Sequence, residues 1–143
     1  MKIVTLGSPQ ELGQQAAKHA EQLLNDAISK RGDARLLVST GASQLLFFEA
    51  FIKADVDWSK VTMFHLDEYI GMPETHPASF IGYLKARFTS KVPLKKAHFI
   101  DGTKPPEDVI REMSALIREA PVDVGLIGIG ENAHIAFNDP PAD

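Results

Sequence analysis

Residues 35–50 read RLLVSTGASQLLFFEA, and the stretch changes its period halfway. Arg35 to Ser39 is an apolar run that suits a β-strand, Thr40-Gly41-Ala42-Ser43 supplies a turn, and from Gln44 to Ala54 the apolar residues recur at helical spacing. A strand passing through a short turn into a helix is the half-unit of an α/β sheet, so the question is whether the unit repeats.

It repeats in both directions. Upstream, Ser8-Pro9-Gln10-Glu11 is a capping box with proline at the first helical position. Leu12, Ala16, Ala20, Leu23, Ala27 and Ile28 follow at helical spacing to Lys30, Gly32-Asp33 ends that helix, and Lys2 to Leu6 can form a short strand before it. Downstream, Val61 to Leu66 reads as a strand and Pro77 to Ser90 as a helix with Phe80, Leu84 and Phe88 on one face. Ala97 to Ile100 is a further short strand, and Pro106 to Glu119 is a helix carrying Val109, Met113, Leu116 and Ile117. Val122 to Ile129 is a last apolar run, too short for a helix and bounded by glycine. The expected fold is α/β, a doubly wound and mostly parallel sheet with helices on both faces, Rossmann-like, and ligands are expected at the carboxyl ends of its strands. The 143 residues fit one domain, 1–143. The run stops inside a proline-rich loop with no helix after its last strand, so the chain is expected to be the amino-terminal part of a longer domain, truncated at its C-terminal end.

Composition narrows the function. A formal net charge of −4 with scattered lysines and arginines offers no stripe for a nucleic-acid backbone, so no nucleic-acid partner is expected. The absence of cysteine excludes disulfides, thiolate zinc sites and thiol catalysis. No secretory h-region opens the chain and no run approaches membrane-spanning length, so a cytoplasmic protein without a membrane partner is expected.

Three polar loops follow strands. In Thr40 to Ser43, amides at a helix start together with the Thr40 and Ser43 hydroxyls can hold a phosphate; alternatively Ser43 only caps its own helix. The loop lacks the GxxxxGK[ST] pattern, so a nucleoside triphosphate is not indicated. In His65-Leu66-Asp67-Glu68-Tyr69, strand alternation puts His65 and Asp67 on one face, where Asp67 suits a general base whose pKa burial would raise. Alternatively Asp67 and Glu68 cap the following loop. The third loop, Gly128-Ile129-Gly130-Glu131-Asn132-Ala133, matches G-x-G-x-x-A, but Asn138-Asp139-Pro140-Pro141 interrupts the long helix that a dinucleotide site needs. His134 with Asp139, and with Glu131 nearby, instead suits proton transfer at neutral pH, against the plain alternative of a structural histidine. A metal held by His65, Asp67, His134 and Asp139 lacks any tight ligand spacing.

Taken together, Ser39-Thr40-Gly41-Ala42-Ser43, Leu66-Asp67-Glu68-Tyr69-Ile70-Gly71 followed by His76-Pro77-Ala78-Ser79-Phe80, and Gly128-Ile129-Gly130-Glu131-Asn132-Ala133-His134-Ile135-Ala136-Phe137-Asn138-Asp139-Pro140 closely resemble the glucosamine-6-phosphate deaminase/isomerase family, in the family's order. The related 6-phosphogluconolactonases share the fold and a histidine-containing glycine loop. The resemblance implies ring opening and aldose-to-ketose isomerisation of an amino-sugar 6-phosphate with release of ammonia, without metal or organic cofactor. It implies that Asp67 moves a proton between C2 and C1, that His134 assists ring opening, and that Gly41, Ala42 and Ser43 line the phosphate pocket. The family's remaining phosphate-binding arginine and lysine lie beyond Asp143, and association into a homo-oligomer is left open. Three positions depart from the family pattern: Asn132-Ala133-His134 stands for Asp-Gly-His, and Asp139 for glutamate. Asn132 and Asp139 are expected to orient His134, although an amide supplies no negative charge. Lactone hydrolysis and non-catalytic sugar-phosphate sensing remain as alternatives.

Overall fold

The computed structural model describes residues 3–141. Helix α1 (Pro9–Arg31) begins where Ser8 Oγ accepts the Glu11 N–H at 3.2 Å. It ends at Gly32, whose φ of 87° is the left-handed conformation that glycine adopts without a Cβ clash. The other half of the capping box is shifted by one residue, since the Glu11 carboxylate accepts from Gly7 N–H at 3.0 Å rather than from Ser8. The buried stripe of α1 is Gly13, Ala17, Ala20, Leu24 and Ala27, and the expected Leu12, Ala16 and Leu23 face outward. Gly13 gives the reason: a Cβ there would lie 2.8 Å from the Leu46 carbonyl carbon, so α1 meets helix α2 (Leu45–Phe51) nearly backbone to backbone. Small residues fit that contact and leucines do not.

Strands β1 (Ala34–Val38), β2 (Val61–His65), β3 (Lys96–His98) and β4 (Val124–Leu126) form a parallel sheet in the order β3-β2-β1-β4. The strand expected from Lys2 to Leu6 is absent: residues 3–6 carry no regular structure, Ile3 and Val4 are exposed, and Lys2 lies outside the described residues. Apolar character alone does not make a strand when no neighbour pairs with its backbone. The run from Val122 to Ile129 contributes only three strand residues, because its pairing with β1 stops at Val38 opposite Leu126.

Alternation along β1 and β2 puts Ala34, Leu36, Val38, Val61, Met63 and His65 on one face. Helices α1, α2 and α3 (Phe80–Leu84) lie there, α3 running on into one π-helical turn (Lys85–Thr89). Phe47, Phe48, Phe51, Trp58 and Phe88 form an aromatic cluster in this layer, with Phe48 and Phe88 stacked at 5.3 Å; each such buried side chain is worth roughly 1.5–3 kcal/mol. The helix expected from Pro77 begins only at Phe80, with Ser79 as its N-cap. Its core face is Ile81, Leu84 and Phe88, while Phe80 turns away toward Tyr69 and Phe137. Helix α4 (Pro106–Arg118) covers the opposite face, where the Arg35 guanidinium lies over the Phe64 ring and donates to the Leu116 and Ile117 carbonyls at 2.7 and 3.1 Å.

The sheet is therefore doubly wound, as the alternating pattern predicts. The chain runs from β1 through β2 to β3 on one side and then places β4 on the other side of β1. At that reversal the loops after β1 and β4 part, and a crevice opens between them at the carboxyl ends of the strands.

Candidate active site

Ser39, the residue after β1, ties the two diverging loops together. Its backbone N–H donates to Leu126 O at 3.1 Å, and its hydroxyl accepts from Gly128 N–H at 3.2 Å and from Gln44 Nε2 at 3.3 Å. The following Gly41 has φ 118°, a conformation that favours glycine, and its carbonyl accepts from the Tyr83 hydroxyl at 3.0 Å. No side chain caps the 3₁₀ turn Ala42–Gln44 or helix α2, so Ser43 is not the cap that its sequence position allowed. Together with Asp67, Tyr83, Arg87, Gly128, Glu131, His134 and Asp139, Thr40 to Ser43 lines an open cleft of about 980 Å³.

After β2 the two acidic residues divide the roles that the sequence left open. Glu68 is buried: its carboxylate accepts from Tyr69 N–H at 2.9 Å, from the Ser79 hydroxyl at 2.9 Å and from Ile81 N–H at 3.0 Å. Burial alone would raise its pKa, but these donors hold the carboxyl below the ordinary glutamate value. Glu68 is thus the structural carboxylate that fastens the start of α3. Asp67 makes no hydrogen bond among the described residues and faces the cleft half-buried. Burial, and then the charge of Glu68, push its pKa up, while His134 opposes them.

His65 does not join Asp67. Strand β2 ends at His65, so alternation does not carry across to Asp67, and the His65 ring turns into the core between Phe80 and Phe99. It is 2% exposed, and neither ring nitrogen has a hydrogen-bond partner among the described residues. Burial lowers its pKa from 6.5 to about 4, with Glu68 opposing. An imidazole held neutral in the fold favours unfolding once the unfolded chain can take the proton. Stability is therefore expected to be full above pH 6.5 and to fall as the pH drops toward 4, by up to roughly 3 kcal/mol. Denaturant titrations across that window check this, and His65→Leu should flatten the slope. Among the described residues, no group of three or more His, Asp or Glu side chains gathers as a metal site requires.

The loop after β4 is tightly wound. Gly130 N–H donates to His134 O and Ala133 N–H to Gly130 O, both at 2.9 Å, and Ile135 bridges to Asn138. Ala133 and Ala136 have φ of 65° and 54°, which strains a residue bearing a Cβ. The His134 ring lies against Gly130, where a Cβ would come within 2.1 Å of its Cε1. Asn132 Oδ1 is 2.6 Å from His134 Nδ1 and also accepts the His134 backbone N–H at 3.4 Å, and Asn132 Nδ2 donates to Asp139 Oδ1 at 3.0 Å. Asp139 Oδ1 itself stands 3.6 Å from His134 Nδ1, within ion-pair range of a protonated ring, while the hydrogen-bonded route between them runs through Asn132. Glu131 lines the cleft without bonding to His134.

The sequence reading singled out neither Tyr83 nor Arg87. Both sit on or after α3, away from any strand end. The wide turn Lys85–Thr89 is the local irregularity that marks Arg87, which lines the cleft and makes no ion pair among the described residues.

The arrangement defines an open α/β protein whose cleft, at the strand reversal, presents a half-buried carboxylate and an amide-anchored imidazole. The sequence profile of the glucosamine-6-phosphate isomerases/6-phosphogluconolactonase family matches residues 7–137, and the chain belongs to that family. It is 38% identical over 126 residues to the glucosamine-6-phosphate deaminase of an Exiguobacterium species, an alignment covering 87% of this chain and 50% of that protein. It is 33% identical over 141 residues to that of Lactobacillus delbrueckii subsp. bulgaricus, covering 98% and 58%. Among solved structures, a monomeric glucosamine-6-phosphate deaminase superposes with a TM-score of 0.88 at 25% identity, over all of this chain and 61% of that one. The 6-phosphogluconolactonase of Shewanella baltica shares the fold, with a TM-score of 0.78 at 23% identity over 91% of this chain and 57% of that one. The chain thus spans 50–61% of the length of these relatives.

Proposed function

We propose that the chain acts as an aldose–ketose isomerase and deaminase on an amino-sugar 6-phosphate, converting glucosamine 6-phosphate and water to fructose 6-phosphate and ammonia. The observation that carries the reading is Asp67: a half-buried carboxylate at a strand end, without a structural hydrogen bond, facing the cleft that His134 also lines. His134 takes the proton of the C1 hydroxyl and returns it to the ring oxygen as the C1–O5 bond breaks. Asp67 then removes the C2 proton from the open-chain aldehyde and delivers it to C1, while a proton passes from the amino nitrogen to the C1 oxygen, which leaves a hydroxyl on C1 and an imine at C2. The resulting imine at C2 adds water and expels ammonia, so the atoms balance with no further reactant. A carboxylate whose pKa burial raises is a better proton acceptor for this step than a fully solvated aspartate.

In this reading Thr40, Gly41, Ala42 and Ser43 hold the phosphate, supported by their lining of the cleft and by two hydroxyls not engaged elsewhere among the described residues. Arg87 lines the same cleft. Arg87→Gln is expected to raise KM for the sugar phosphate severalfold to about tenfold and to weaken its salt dependence, with kcat little changed. Steady-state kinetics at two ionic strengths check this.

The function is tested by incubating the protein with glucosamine 6-phosphate and assaying ammonia and fructose 6-phosphate together. Equal amounts of both support the proposal. An acid released from a 6-phosphogluconolactone, without ammonia from the amino sugar, moves the protein to the hydrolases, where Asp67 has no carbon acid to deprotonate. Binding with neither product makes it a sensor.

A further inference from the structure

Asn132 stands beside the imidazole where the family pattern has an aspartate, and the geometry points to how the loop works with it. We propose that Asp139 acts through the Asn132 amide to fix the tautomer of His134: protonated at Nδ1, with the Nε2 lone pair free toward the cleft. The inference deepens the proposed function by naming Asp139 and Asn132 as a coupled positioning pair.

A carboxylate only accepts hydrogen bonds, so Asp139 Oδ1 at 3.0 Å must face the NH₂ end of the Asn132 amide. The His134 backbone N–H only donates, so the atom it meets at 3.4 Å must be the amide oxygen. Both contacts favour the same orientation, with the 3.4 Å backbone contact too long to hold it without Asp139, and the amide oxygen is left 2.6 Å from Nδ1. An oxygen acceptor at that distance requires a proton on Nδ1, and the remaining nitrogen of a neutral imidazole then carries the lone pair. When asparagine replaces the orienting aspartate of a serine-protease triad, the wrong tautomer is fixed and kcat falls about ten-thousand-fold. Here Asp139 takes up the NH₂ group and removes that hazard.

The coupling also runs the other way. With Asp139 in place, an aspartate at 132 would bring two carboxylates to hydrogen-bond distance, and such a pair cannot ionise fully. Restoring the family residue alone should therefore not improve the site. Exchanging the two residues, Asn132→Asp with Asp139→Asn, should rebuild it: the carboxylate at 132 accepts from Nδ1 and from the amide at 139.

Nitrogen-15 NMR of the His134 ring in alkaline buffer reads the tautomer directly and needs no turnover, so its outcome is independent of whether the substrate assignment holds. The parent protein is expected to show one tautomer, Nδ1–H. Asp139→Ala should show a mixture, with kcat at least about tenfold lower and short of the serine-protease limit. The exchange variant should return to Nδ1–H, while Asn132→Asp alone should be no more active than the parent. Preserved backbone spectra separate these effects from unfolding. An Nε2–H parent, an Asp139→Ala variant with unchanged tautomer and kcat, or an Asn132→Asp variant more active than the exchange variant would each overturn the proposal.

Discussion

Replacing Asp67 by asparagine is expected to cut turnover by about a hundred- to ten-thousand-fold, the range for removing a placed proton-transfer group. Binding of the sugar phosphate should stay nearly unchanged, because the amide keeps the size of the side chain and the residues proposed to hold the phosphate, Thr40 to Ser43, lie on another loop. A second readout guards against the trivial explanation that the variant unfolds. The fold raises the pKa of Asp67, so it disfavours the ionised form. A group with a raised folded pKa contributes relative stability only while protonated and loses it as the pH climbs through that pKa. Removing the charge should therefore raise the thermal midpoint at neutral pH while turnover disappears. A variant that is both inactive and less stable would point to a structural aspartate. An active one would remove Asp67 from the chemistry.

The second large effect is expected at Gly130. A Cβ at this position would lie 2.1 Å from His134 Cε1, 2.3 Å from Nδ1 and 2.5 Å from Nε2, so Gly130→Ala cannot leave the ring where it is. Since the surrounding loop is closed by backbone hydrogen bonds on both sides of Gly130, the ring is what must move. A displacement of about 1 Å at a reacting group costs on the order of a hundredfold in rate, and kcat should fall by about that much with the fold intact. Gly128→Ala is the internal control, because its Cβ would meet nothing nearer than 3.8 Å. It should leave the His134 ring signals unchanged, and any effect on turnover should appear in KM, since Ser39 and Ser43 are the residues it approaches. Comparable losses of kcat in both variants would mean that the loop tolerates no side chain anywhere, and the steric account of Gly130 would be wrong.

The fold was legible in the sequence wherever local chemistry and tertiary packing agree. The strand-turn-helix of residues 35–50, the proline-started helices and the glycine stop at Gly32 each satisfy their own backbone, so their boundaries fall within a few residues of those read from the pattern. Reading failed where a neighbour decides. The buried face of α1 is chosen by how closely α2 approaches Gly13, and hydrophobicity alone selects the leucines beside it instead. The run from Ile3 to Leu6 has strand composition but no pairing partner.

The candidate site divides along the same line. Loops after strands were found because a parallel sheet with a strand reversal puts its crevice there, and Asp67, His134, Asn132, Asp139 and the Thr40 to Ser43 loop all line or support one cleft. His65 was misplaced because alternation was carried past the last strand residue. Tyr83 and Arg87 were missed because they reach the cleft from a helix packed beside it, and no period in the sequence records that approach. The departure at Ala133 acquires a physical meaning only from the structure: its φ of 65° is a conformation that glycine adopts freely and a Cβ disfavours, so this chain holds His134 on a strained turn.

The most direct test of the account follows the hydrogen on C2. With glucosamine 6-phosphate carrying deuterium at C2, the protein should yield fructose 6-phosphate whose deuterium has moved to C1 or washed into the solvent, and Asp67→Asn should leave the label on unreacted sugar. Labelled substrate turned over at the parent rate by Asp67→Asn, or a product that keeps deuterium at C2, would contradict the assignment of Asp67 as the group that moves this proton.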